Sequence, residues 1–234
     1  MTPLLSLQQV RVSYDSTEVV HGVSLDIEAS KVSAILGVNG AGKTALALAI
    51  AGLVNTAGLI KFMGQSINDV SPWGRSHMGI ALVHEGRRLF HGLSVEENLR
   101  LAAWRRGKSK SEVNRQLGFV ENLFPVLRRK LREPSSRLSG GEQQMLAVGQ
   151  GLMTFPKLLI LDEPTAGLAP KIVGEMLTSI RHLADEGYST VVIDQSVANA
   201  RRVAETAFLM RVGRLVQQMP VSAINETVIS EYLT

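Results

Sequence analysis

An eight-residue turn near the start of the sequence constrains the possible folds more than any other feature. Gly37–Thr44 reads Gly-Val-Asn-Gly-Ala-Gly-Lys-Thr and matches the phosphate-loop pattern G-x-x-x-x-G-K-[ST] at every position. The apolar run Val32–Leu36 precedes it, and Ala45–Leu53, which is rich in alanine and leucine, follows it. A strand, a glycine-rich turn and a helix in this order predict the first βα unit of an α/β domain.

The residue types in this turn suit the binding of a nucleotide. Glycines let backbone N–H groups turn inward around phosphate oxygens, where a Cβ atom would obstruct their approach. Lys43 is predicted to reach the β- and γ-phosphates, and the Thr44 hydroxyl to ligate Mg²⁺. A chance match in a glycine-rich turn is the alternative, and the strand and helix on either side count against it. The candidate nucleotide-binding residues here are Gly37, Val38, Asn39, Gly40, Ala41, Gly42, Lys43, Thr44 and Ala45.

An acidic pair follows a second apolar run, since Leu158–Leu161 leads directly into Asp162 and Glu163. Consecutive apolar residues predict a strand that is buried on both faces. In open α/β sheets the carboxyl ends of the strands form the ligand crevice, so this pair is expected near the phosphate loop. Asp162 is then the candidate for the Mg²⁺ shell, and Glu163 for the base that activates the attacking water. By itself, the pair could equally be an acidic turn.

A third motif, Leu138–Gln144, precedes the helical stretch Met145–Leu152. Ser139 and Glu142 have the spacing of a capping box, so Ser139 is predicted to cap the helix and Glu142 to brace it. The glycines between them, Gly140 and Gly141, leave the helix N-terminus able to meet an anion. On these residues alone, a well-capped helix start is the favoured interpretation.

Length and composition indicate one globular domain and exclude several kinds of site. The chain has 234 residues and no cysteine, which removes disulfides, thiolate metal sites and cysteine nucleophiles. The five histidines have no zinc-type spacing. No apolar run approaches the roughly 20 residues of a membrane helix, so the chain is not expected to span a bilayer.

The sequence becomes polar and helical from about Ser94, where Val95–Arg105 and Ser111–Leu123 predict helices. We predict a single domain with a core at about 1–85 and 152–234 and a helical subdomain inserted at about 86–151. The net charge of +4 leaves open an anionic partner or a plain solvated surface. The positive charge concentrates at Arg87–Arg88, Arg105–Arg106 and Arg128–Lys130.

The three motifs, in this order along the chain, resemble those of the ATP-binding-cassette (ABC) ATPases. Leu138–Gln144 looks like their signature motif, which contacts the γ-phosphate of ATP held by the opposite subunit. The resemblance implies a P-loop NTPase core with an antiparallel β subdomain, ATP and Mg²⁺ as ligands, and a head-to-tail dimer around two nucleotides. It adds Ser139, Gly140, Gly141 and Glu142 to the nucleotide contacts, with Tyr14 where these ATPases stack an aromatic ring on adenine; alone, Tyr14 could equally be a core or turn residue.

Two positions depart from the common ABC pattern. Glu85 replaces the usual glutamine of the loop between the core and the helical subdomain, and Gln195 replaces the usual switch histidine. Glu85 could still coordinate Mg²⁺. Gln195 can form hydrogen bonds but cannot carry a proton at neutral pH. The predicted catalytic set is therefore Glu163 as the base, with Lys43 and Gln195.

Longer stretches resemble one branch of the family, and the similarity runs from about Leu4 to Leu233. Glu85–Phe90, Leu93–Leu99 and Gly167–Pro170 look like the ATP-binding subunits of branched-chain (hydrophobic) amino-acid importers, with urea and short-amide importers nearby. This resemblance implies membrane permease subunits, a second ABC ATPase subunit that is identical or not, and, indirectly, an extracytoplasmic substrate-binding protein. The expected location is peripheral, on the cytoplasmic face of the inner membrane.

Two other functions remain as alternatives. A soluble ABC ATPase that acts on nucleic acid or ribosomes usually has two cassettes or a long coiled-coil insert, and this sequence has neither, so no nucleic-acid partner is expected. A non-enzymatic nucleotide sensor is opposed by the intact Lys43, Thr44, Asp162 and Glu163.

Overall fold

The computed structural model describes residues 2–86, 88–104 and 106–232. Arg87, Arg105 and Leu233, each named in a prediction above, lie outside the described residues. The strands are β1 (Leu5–Tyr14), β2 (Thr17–Ile27), β3 (Val32–Leu36), β4 (Thr56–Phe62), β5 (Gln65–Ser66), β6 (Ile80–Val83), β7 (Leu158–Asp162), β8 (Ser189–Asp194), β9 (Thr206–Arg211) and β10 (Arg214–Pro220). The α-helices are α1 (Lys43–Ala51), α2 (Pro72–Met78), α3 (Val95–Ala102), α4 (Lys110–Leu123), α5 (Pro125–Arg129), α6 (Gly140–Met153), α7 (Pro170–Asp185), α8 (Val197–Val203) and α9 (Glu226–Tyr232).

The strands of the described residues form two sheets. One has six strands in the order β10-β9-β3-β8-β7-β6, which are parallel except for the antiparallel edge strand β10. The other has four antiparallel strands in the order β2-β1-β4-β5. These sheets confirm the predicted α/β core with an antiparallel β subdomain.

The central strands of the six-stranded sheet are buried on both faces. In β7, Leu158 and Ile160 pack toward α1 and the antiparallel sheet, whereas Leu159 and Leu161 pack toward the helices on the opposite face. Burying one such side chain contributes about 1.5–3 kcal/mol, and the first four positions of β7 all contribute in this way. This burial explains why these strands read as uninterrupted apolar runs rather than as alternating ones.

The parallel register brings the carboxyl ends of three strands to the same edge of the sheet. Leu36 of β3 pairs with Asp194 of β8, and Asp162 of β7 pairs with Ile193. The turn that follows β3 and the acidic residues that end β7 and β8 therefore lie side by side.

The segment between β6 and β7 is helical, with α3, α4, α5 and α6 and no strand among its described residues. Helix α3 ends at Ala102, so the prediction of a helix to Arg105 was too long. Helix α6 runs to Met153, so the boundary predicted near residue 151 falls in its last turn. The division into core and helical subdomain stays a prediction. None of the described helices combines the length and the apolar character that crossing a membrane requires.

Candidate nucleotide site

The turn between β3 and α1 has the backbone of an anion-binding loop. Gly42 is the N-cap of α1 with a φ of 91°, and Gly40 has a φ of 79°. Both values lie in the left-handed region that favours glycine. No side chain of the described residues caps α1, so the N–H groups of its first turn remain available to an anion.

Gly37 is required because the backbone of β9 lies against it. A Cβ atom on Gly37 would overlap the carbonyl oxygen of Met210. Gly37→Ala is therefore expected to lower the free energy of unfolding by about 1–3 kcal/mol and to displace the loop. Urea denaturation measures this change. Gly118→Ala in α4 is the control, because a Cβ there meets no atom of the described residues within 4 Å. The control is expected to be neutral or to gain about 0.5–1 kcal/mol, and equal losses in the two variants would contradict the argument.

Lys43 lies across the turn and is only 5% exposed. Its Nζ donates hydrogen bonds to the carbonyl oxygens of Gly37 (2.7 Å) and Val38 (3.0 Å). The same Nζ is 3.8 Å from Oε1 of Glu163. The ammonium group thus lies between the loop and the acidic pair.

Thr44 and Asp162 meet directly, although 118 positions separate them in sequence. The Thr44 hydroxyl donates to Oδ1 of Asp162 at 3.2 Å, and Oδ2 of Asp162 is buried without a hydrogen-bond partner among the described residues. Burial raises the pKa of Asp162, and the hydrogen bond from Thr44 opposes that rise. The hydrogen bond from Thr44 does not offset the cost of burying the charged carboxylate, and a divalent cation beside it would stabilise the charge.

Thr44 and Asp162 suit a Mg²⁺ ion that also binds substrate phosphates better than they suit a metal ion held entirely by protein ligands. The described residues contain no group of three or more His, Cys, Asp or Glu side chains that could hold a metal ion. Mg²⁺ commonly takes one or two carboxylates together with phosphate oxygens of the substrate. Thr44 and Asp162 would supply the protein ligands of such an ion.

Glu163 has a constrained backbone and a perturbed carboxyl group. Its φ is 48°, which costs a non-glycine residue about 1–2 kcal/mol, and its N–H donates to the carbonyl oxygen of Ile193 at 2.9 Å. Burial raises the pKa of Glu163; the Lys43 ammonium opposes this, and the carboxylates of Asp194 and Glu85 add to it. A carboxylate of raised pKa beside the phosphate loop is suited to accept a proton from water.

The other predicted residues of the core surround this centre at more exposed positions. Glu85 is exposed in the turn after β6, and its charge raises the pKa of both Asp162 and Glu163. Gln195 is exposed in the turn after β8. Tyr14 ends β1 and is 44% exposed, so its ring is open to a ligand.

Helix α6 begins with the predicted capping box. Oγ of Ser139 accepts from the N–H of Glu142 (3.4 Å), and Oε2 of Glu142 accepts from the N–H of Ser139 (2.8 Å), which confirms the predicted cap. Lys130 also donates to Glu142 at 2.9 Å. No hydrogen bond or ion pair of the described residues joins this helix start to Gly37–Thr44.

Sequence reasoning missed a second acidic strand end, that of β8. Asp194 is 4% exposed and accepts hydrogen bonds from Thr165 and Asn199. Its signal was present, because Asp194 ends the apolar run Val191–Ile193 much as Asp162 ends its own strand.

Comparison with known proteins gives consistent relatives. The family model described as "ABC transporter" matches residues 20–166. The high-affinity branched-chain amino acid transport ATP-binding protein BraG of Pseudomonas aeruginosa is 36% identical over 91% of each chain. A probable branched-chain amino acid transport ATP-binding protein, LivF of Archaeoglobus fulgidus, is 33% identical over 91% of this chain and 90% of its own. A solved dimeric ATP-binding cassette in a post-hydrolysis state, with ADP and phosphate bound, has the same fold with a TM-score of 0.82 at 21% identity, covering 94% of this chain and 100% of that one.

Proposed function

This chain belongs to the ABC transporter family and hydrolyses ATP, and we propose that it energises the import of branched-chain or other hydrophobic amino acids. The observation that carries the proposal is the similarity, over nine-tenths of the chain, to branched-chain transport ATPases of a bacterium and an archaeon. An importer of urea or short amides is the second candidate, because the sequence also resembles that neighbouring group.

In this proposal the strand ends hold one Mg·ATP. The Gly37–Ala45 segment would surround the phosphates, with Lys43 at the β- and γ-phosphates and Tyr14 against the adenine. Thr44 and Asp162 would hold Mg²⁺, and Glu85 would complete the shell of the ion. The role of Asp162 is supported by its buried Oδ2 atom, which has no hydrogen-bond partner among the described residues. Bound Mg²⁺ would supply neutralisation of the phosphate charge.

Glu163 would take a proton from the attacking water, while Gln195 would bind the γ-phosphate or that water through its amide. To accept that proton, Glu163 must be in its charged form. The ammonium group of Lys43, 3.8 Å away, favours the charged carboxylate.

The working unit would be a dimer of ATPase subunits. The N-terminus of α6, with Ser139, Gly140, Gly141 and Glu142, makes no hydrogen bond to the loop Gly37–Thr44 of its own chain among the described residues. A helix start with bare glycines suits an anion, so the nucleotide of a second subunit is the natural ligand for it. Both an identical and a non-identical second subunit fit this arrangement.

A groove between the core and the α3–α6 region would receive a cytoplasmic helix of the permease. It has a volume of about 730 Å³, and Trp73, Phe90 and Trp104 in its lining are 59%, 54% and 67% exposed. Exposed aromatic residues gathered in one groove are typical of a binding surface. His84 also lines it, so the groove lies next to Glu85 and the nucleotide site. Docking there would place the chain peripherally at the cytoplasmic face of the membrane.

Substrate uptake tests this proposal. The chain would be reconstituted in proteoliposomes with the permease subunits that co-purify with it and with their binding protein. We expect ATP-dependent accumulation of radiolabelled leucine and isoleucine, and no accumulation when Lys43→Ala replaces the wild-type chain. Accumulation of urea or acetamide without leucine would favour the second candidate. Failure to recover any membrane protein, together with a salt-sensitive shift of DNA or ribosomal RNA, would contradict the transport proposal.

A further inference from the structure

A second buried carboxylate lies beside Glu163. Its charge adds to the rise in the pKa of Glu163, but the function proposed above gives it no contact of its own. Asp194 is the last residue of β8 and is 4% exposed. The ion pairs of the described residues do not include it. A buried carboxylate that has no cation beside it must be stabilised by hydrogen bonds. The donors of those bonds are therefore the groups that Asp194 holds in place.

Within the part of the chain that the structure describes, Asp194 accepts three hydrogen bonds from two different segments. Oδ1 accepts from the N–H of Ser196 at 2.8 Å. Oδ2 accepts from the Thr165 hydroxyl at 3.2 Å and from the Asn199 amide at 3.1 Å. The Asn199 amide also donates to Oγ1 of Thr165 at 3.0 Å, which closes the network. Hydrogen bonds to a carboxylate are roughly twice as strong as those between neutral groups. This network therefore restrains the two segments relative to each other.

The two segments are those that carry Glu163 and Gln195. Thr165 lies in the turn after Glu163, in which the N–H of Ala166 donates to the Glu163 carbonyl at 3.2 Å. Gln195 stands between Asp194 and Ser196, so the bond from Ser196 N–H closes a tight turn around it. One carboxylate therefore connects the backbones on which both side chains depend.

We propose that Asp194 is a positioning residue for ATP hydrolysis, which sets the separation of Glu163 and Gln195 by binding the segment that follows each of them. The inference rests on the proposed role of Glu163. Asp194 itself touches no reacting atom. A displacement of a catalytic side chain by about 1 Å can lower the rate of hydrolysis about a hundredfold. Nucleotide affinity, by contrast, depends on the separate Gly37–Thr44 loop. Loss of the network should therefore lower kcat and leave nucleotide binding intact.

Asp194→Asn tests the carboxylate directly in the full chain. The new amide can still accept from Ser196, but its N–H group opposes the donating amide of Asn199. We expect kcat to fall at least about tenfold, with KM for ATP and Kd for a non-hydrolysable ATP analogue within about twofold of wild type. Adding Asn199→Asp exchanges the carboxylate and the amide, so the double variant is expected to recover part of kcat.

A pair of variants at Thr165 decides the matter if Asp194→Asn does not fold. Thr165→Val removes the hydroxyl and should lower kcat, while Thr165→Ser keeps it and should stay much nearer wild type. Thr178→Val on α7 is the control, since among the described residues its hydroxyl donates to the carbonyl of Gly174 in its own helix.

Unchanged kcat in Thr165→Val, or a parallel loss of kcat and nucleotide affinity, would overturn the proposal. The assay uses phosphate release without a permease, so its outcome is separate from that of the uptake experiment. Glu163→Gln is measured alongside, and full turnover in that variant would refute the role of Glu163 whatever the Asp194 variants show.

Discussion

Glu163→Gln is expected to bind ATP as tightly as the wild-type protein and to lose about 10²–10⁴-fold in kcat. The amide has the same size and can still form hydrogen bonds, but it cannot accept a proton from water. ATP that binds and is not hydrolysed should hold two subunits together. Phosphate release measures turnover, and size-exclusion chromatography with ATP and Mg²⁺ measures the trapped dimer.

The control for this variant is Glu175→Gln, an exposed position on α7 where the same change removes one negative charge away from the nucleotide site. It is expected to match the wild-type protein in both assays. Turnover at the wild-type rate by purified Glu163→Gln would exclude Glu163 as the base and would leave the site without a candidate for it.

Lys43→Ala is expected to weaken ATP binding by about 10–100-fold, and hydrolysis should fall with it. Hydrogen bonds to a charged partner contribute about 1.5–3 kcal/mol, which corresponds to this change in Kd. Isothermal titration with ATP and Mg²⁺ measures the affinity, and a thermal melt of the same sample shows that the fold is retained.

Lys110→Ala is the matched control, because Lys110 is exposed at the start of α4 and lies in a different region of the fold. An unchanged Kd in Lys43→Ala would mean that the lysine does not reach the phosphates, and that its bonds to the loop carbonyls serve only the fold.

The parts of the site that sequence predicted well are those whose signals are local. A phosphate loop between an apolar strand and a helix specifies its own βα unit, so β3, the turn and α1 lie where expected. The position of Asp162 at the end of β7 could be predicted in the same way, because the apolar run Leu158–Leu161 leads directly into it. The capping box at Ser139 needs only residues four positions apart or fewer, and it formed as predicted.

The parts that sequence missed depend on contacts between distant positions. Arg75 is 3% exposed, and its guanidinium donates to the carbonyls of Ala49 (2.7 Å) and Ile50 (3.1 Å), which supplies the basic group that the last turn of α1 lacks. A single arginine in a polar segment gives no sign of this burial. The bond between Thr165 and Asp194 likewise spans 29 positions, and only the parallel pairing of β7 with β8 brings it about.

Helix α2 was missed for a different reason, since its start signal is local and was overlooked. Ser71 accepts a hydrogen bond from the N–H of Gly74 as the N-cap, and Pro72 occupies the first helical position. The helix is seven residues long, too short for an apolar period to show in the sequence.

The central claim is that the turn after β3 and the acidic end of β7 bind the same triphosphate. Crystals of Glu163→Gln grown with ATP and Mg²⁺ test it most directly, because hydrolysis cannot remove the ligand. We predict that the γ-phosphate lies against Nζ of Lys43 and that Mg²⁺ lies between the Thr44 hydroxyl and Asp162. Density for ATP at any other place, or a metal ion bound away from Thr44 and Asp162, would contradict the account.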